Sequence, residues 1–177
     1  MTRWIGLAFG FFFFLSACLG TTPEEQLKDS LGPYYDGDEE HRPGQPCLAC
    51  HGEGFTPGEE QFVVAGTVYP TPTSPRPDGL GGLAGVLVEI TDAQDRTVSV
   101  TTNRTGNFMF ERGNEGGRGR GRIPFDLVYP LRIRISLGDV EQVMESVTWR
   151  EGSCATCHSL EGPHESSEPP VYLMEAP

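Results

Sequence analysis

The chain is short of positive charge: 13 Lys and Arg stand against 25 Asp and Glu, a formal net charge of −12. A polyanion of this kind repels nucleic acid and attracts partners with basic surfaces. The sequence also lacks any apolar run of the roughly 20 residues that cross a bilayer as a helix. Its longest, from Trp4 to Leu15, is shorter and follows Arg3. That combination, followed by small residues, reads as a secretory signal over residues 1–17. No HExxH occurs, so this zinc-protease signature is missing. Histidine is scarce, with four in the chain, and cysteine is limited to five.

What little Cys and His there is falls into a pattern. Cys47-Leu48-Ala49-Cys50-His51 is answered more than a hundred residues later by Cys154-Ala155-Thr156-Cys157-His158. The CxxCH spacing suits covalent haem c. On a helical turn the two thiols point to one side and can add to the two vinyl groups of a porphyrin, while the next imidazole swings under the ring. On this reading Cys47, Cys50, Cys154 and Cys157 are thioether anchors for two haem c groups, and His51 and His158 are iron ligands. Two alternatives use the same thiols. A zinc site fits two CxxC pairs but does not require His after each, and two disulfides suit an oxidising compartment but leave the histidines equally unexplained.

The sixth iron positions have several candidates: His41 and His164, with Met144, Met109 and Met174 as rivals. Two histidines on one iron tend to lower its potential, whereas Met raises it. His41 lies six residues before Cys47 and His164 six after His158. Neither spacing reaches easily over the motif's own haem, so a crossed arrangement is expected if these residues ligate, and solvated loops if they do not. Met109, flanked by Phe108 and Phe110, reads as core or sheet surface.

Between the motifs the period changes to that of strands. Residues 61–69, 85–91, 97–102 and 131–137 are rich in β-formers, and the last alternates Leu131, Ile133, Ile135 and Leu137 inward against Arg132, Arg134 and Ser136 outward. Residues 140–149 fit a strand returning to the sheet. Turn signals separate these runs, and "GGRGRGR" at 116–122 reads as a flexible glycine loop carrying Arg118, Arg120 and Arg122. The fold class expected is mainly β, a small antiparallel β-sandwich flanked by two short CxxCH segments. The expected divisions are 1–17 signal peptide, 18–43 acidic flexible tether, 44–60 first haem-binding segment, 61–149 sandwich, 150–165 second haem-binding segment and 166–177 tail.

Three resemblances add to this. Leu15-Ser16-Ala17-Cys18 resembles the bacterial lipobox, which implies lipidation at Cys18 and a mature charge near −13. It also implies export to the cell envelope, with attachment to the periplasmic face of the outer membrane expected. Ala65-Gly66-Thr67-Val68, Leu83 to Val88 and Thr101 to Phe108 resemble carboxypeptidase-regulatory-like and transthyretin-like modules, implying a sandwich used as spacer or platform. The whole layout resembles small exported multihaem c-type cytochrome-like lipoproteins, which implies electron transfer with protein redox partners. A haem peroxidase or reductase with one open iron position is the enzymatic alternative, and a zinc-binding interaction module the non-haem one.

Overall fold

A computed structural model describes residues 40–54, 60–75, 80–113, 119–159 and 168–173. Cys18, Arg118, His164 and Met174 therefore lie outside the described residues, as does the whole expected signal segment. The elements are helix α1 (Leu48–His51) and strands β1 (Phe62–Thr67), β2 (Leu87–Thr91), β3 (Thr97–Thr101), β4 (Asn107–Arg112), β5 (Arg120–Ile123), β6 (Arg132–Leu137) and β7 (Val140–Val143). A 3-10 turn follows over Cys154–Thr156. Among the described residues no helix is long and apolar enough to cross a membrane.

Alternating apolar residues give each strand a face to bury, and the chain satisfies them with two sheets, ordered β1-β4-β5 and β3-β2-β6-β7. Val64, Phe108, Phe110 and Ile123 of the first sheet meet Val88, Ile90, Val100 and Ile135 of the second in one core. The second sheet has the expected wet outer face, with Arg134 ion-paired to Glu89 and Glu141 across neighbouring strands. The register sets Ile135 opposite Val88 and Ile133 opposite Ile90. Leu137, at the strand end, is exposed rather than inward.

The first sheet departs from expectation in two ways. Residues 120–123 form a strand, not a glycine loop, and β5 runs parallel to β4 in an otherwise antiparallel sandwich. Gly121 makes the pairing possible, because a Cβ there would stand 2.6 Å from the Phe110 ring. The second departure is that β4 is buried on both faces from Asn107 to Glu111. Its inner face meets the other sheet, and its outer face carries Met109, which packs with Phe62, Ala65, Cys47 and Leu48. Met109 is thus core, but core beneath the first CxxCH segment.

A bulge in β1 sets up that second face. Phe62 pairs with Glu111 and Val64 with Phe110, leaving Val63 as the extra residue. Simple alternation would turn Phe62 inward beside Val64. The bulge turns it outward instead, into the small cluster under the first motif.

Just beyond β2, Asp92 is fully buried. Its carboxylate accepts the backbone N–H groups of Gln94, Arg96 and Val128 and both Nε and Nη2 of Arg96. The Arg96 bonds, helped by those N–H groups and opposed by burial, hold its pKa at about 2 against an ordinary 3.8. A depressed carboxylate contributes stability above its unfolded pKa and loses it as pH falls toward the folded value. Thermal unfolding followed against pH should therefore show this contribution intact above about pH 4 and fading toward pH 2. Asp92→Asn should lower the midpoint at neutral pH and flatten that acid limb; an unchanged acid limb would contradict the assignment.

Candidate functional site

Both CxxCH segments dock on β1. The first lies on the outer face of its sheet, and the second runs along its free edge. Ala65 donates its N–H to Gly152 at 2.9 Å and bridges to Ser153 in a parallel sense. Two glycines permit the approach. A Cβ on Gly66 would stand 2.8 Å from the Cβ of Cys154, and a Cβ on Gly152 would stand 2.0 Å from the Val63 carbonyl oxygen and 3.2 Å from the Leu48 side chain. A motif more than a hundred residues downstream is thereby brought against the first. Gly66, a glycine inside a strand, is the kind of residue that admits such a close approach.

The two motifs fold into the same local turn. In the first, the N–H groups of Cys50 and His51 donate to the Cys47 carbonyl at 3.1 and 2.9 Å; in the second, those of Cys157 and His158 donate to Cys154 at 3.2 and 2.8 Å. Each histidine is then fixed by one more bond. His51 Nδ1 lies 2.8 Å from the Glu60 carbonyl oxygen and His158 Nδ1 lies 2.7 Å from that of Pro169. A carbonyl only accepts, so Nδ1 carries the proton and Nε2 of the neutral ring keeps its lone pair. This is the arrangement that orients an imidazole for a metal ion. The His51 ring also stacks on Phe62, centroid to centroid 4.4 Å. Glu60 and Pro169 had no sequence signal, because any residue offers a carbonyl.

The leading cysteine of each motif is the more enclosed chemically. Burial pushes the Cys47 thiol up to about 11. Burial, and next the charge of the neighbouring Cys47, push Cys154 to about 12. Both thiols are protonated at neutral pH, and the four motif cysteines are unpaired. Among the described residues no three His, Cys, Asp or Glu side chains form a group that could hold a metal ion.

Two further ligand candidates, His41 and Met144, and two arginines of β5 can be placed. His41 lies against His51, with ring centroids 5.7 Å apart. Met144 follows β7 at the outer edge of the second sheet, its N–H donating to Ile133. Arg120 and Arg122 reach Glu111, and Arg120 also pairs with Glu60. Arg122 and Glu111 line an open cleft of about 640 Å³ beside Leu48, Gly52 and Phe62. No protein-family model, curated protein or solved structure matches the chain.

Proposed function

We propose that this chain is an exported, lipid-anchored dihaem c-type cytochrome that carries electrons. The observation that carries the reading is the repetition of one local geometry at both CxxCH sites: the same turn, and the same Nδ1 bond to a backbone carbonyl. Cys47 and Cys50 would hold one haem and Cys154 and Cys157 the other, each thiol adding across a vinyl group so that its sulfur bonds carbon and its hydrogen goes to the neighbouring carbon. His51 and His158 would ligate iron through Nε2. When bound, haem supplies a one-electron ferrous–ferric couple.

The protein's own contribution is to position and enclose. Phe62 and the Glu60 carbonyl stop the His51 ring from turning, and the Pro169 carbonyl does the same for His158. The sandwich serves as the platform, with β1 fixing one motif against the other. The anchor would be Cys18, and the acidic chain favours redox partners with basic surfaces.

A mediated redox titration of the exported protein tests the electron-carrier reading. Two reversible one-electron steps with full spectral recovery, and negligible turnover of peroxide, are expected. Sustained peroxide turnover would instead assign the chain to the haem enzymes.

A further inference from the structure

We infer that His41 is the second axial ligand of the haem held by Cys47, Cys50 and His51. The inference rests on the dihaem reading and assigns a ligand that the spacing of the sequence argued against.

Six residues before Cys47 look too few to return a side chain to the same haem. The backbone overcomes this by folding back. Arg42 and Gly44 both take left-handed conformations, with φ of 49° and 79°, on either side of Pro43. This double reversal brings the His41 ring beside that of His51 at 5.7 Å between centroids, the planes tilted by 48°. Two imidazoles bound to opposite sides of one metal ion, each through a bond of about 2 Å, place their centroids about 6 Å apart. The observed separation of the two rings is compatible with that spacing.

The segment is also held in a way that a solvated tether would not be. Thr105 Oγ1 donates to the Glu40 carbonyl, Asn107 Nδ2 donates to that of His41 at 3.0 Å, and Gly44 N–H donates to Thr67 Oγ1 at 2.7 Å. Arg104 pairs with Glu40, and Pro43 is fully buried. Thr67 in turn donates to Asn107 Oδ1, so the partners on β1 and β4 are themselves fixed. The backbone on both sides of His41 is thus bolted to the sheet that carries the first motif. Holding a ligand's backbone this firmly is what keeps a metal-binding geometry in place.

The test uses the full exported chain loaded with haem, and carbon monoxide as the probe of an open iron position. His41→Ala should retain two haems per chain, turn one ferric haem from low to high spin, and raise the carbon monoxide-reactive fraction of the reduced protein by one haem per chain. Two haems retained with spin state and carbon monoxide binding unchanged would overturn the assignment. If the alanine chain does not accumulate, His41→Met keeps a ligating side chain and should raise one of the two midpoint potentials. Unchanged potentials there would overturn it equally. A wild-type chain with no covalent haem would remove the dihaem reading itself, and the haem count separates that failure from a wrong ligand.

Discussion

Replacing Cys154 and Cys157 together by Ala is expected to leave one covalent haem per chain, and replacing Cys47 and Cys50 together is expected to leave the other. The reason is that each pair sits on its own turn, closed by its own carbonyl bonds and followed by its own oriented histidine. A haem c needs the two thiols of one motif only. The stoichiometry therefore separates the competing uses of the thiols. One zinc ion shared by both pairs would be lost completely with either pair, because two remaining thiols do not make a tetrahedral structural site. Haem staining and absorbance per chain, measured beside total zinc, should fall by half in each double variant and to nothing in the fourfold variant. Loss of all bound cofactor on removal of a single pair would contradict two independent sites.

The second large effect is expected at Gly152. An alanine Cβ there would come within 2.0 Å of the Val63 carbonyl oxygen, a backbone atom that cannot swing aside. The bond from Ala65 N–H to the Gly152 carbonyl would have to open, and the edge segment carrying the second motif would leave β1. Overpacking of this kind costs roughly 3 kcal/mol or more when backbone is involved. That corresponds to a fall of about 6–12 °C in the unfolding midpoint for a chain of this size. On the dihaem reading both haems should remain attached, because attachment would use the local turn, while the mutual influence of their potentials should weaken. Gly138→Ala is the control. Its added Cβ meets nothing within 4 Å, although φ is 60°, so only the left-handed penalty of about 1–2 kcal/mol applies. Equal losses at the two positions would mean that the docking of the second motif is not what Gly152 protects.

Much of the second sheet was legible because one of its faces is wet. Water on one side and core on the other impose the period of two that residues 85–91, 97–102 and 131–137 display. The first sheet is covered on both sides, and its signals are correspondingly mixed. In β5 the residues Arg120, Gly121 and Arg122 have the composition of a loop. Yet Gly121 is there to admit the Phe110 ring, and the arginines answer Glu111 on β4. The bulge at Val63 has no composition mark at all, although it decides that Phe62 meets His51.

The candidate site divides the same way. The four cysteines and two histidines announce themselves by their repeated spacing. How the motifs meet depends on tertiary contacts, and those left weaker traces: a glycine inside a strand at Gly66, and a second at Gly152 just before the motif. His41 stood in a run of acidic, Pro-rich and Gly-rich sequence that reads as tether. Its place is set by Thr67, Thr105 and Asn107, more than twenty residues away in the chain, whose side chains reach back to hold its backbone and that of its neighbours.

The most direct test of the dihaem cytochrome is the pyridine haemochrome spectrum of the full chain, with protein quantified, after export from a host that has the cytochrome c maturation machinery. Two c-type haems per chain are predicted, one on each CxxCH turn. No covalent haem, despite competent maturation, would contradict it and return the four thiols to another use.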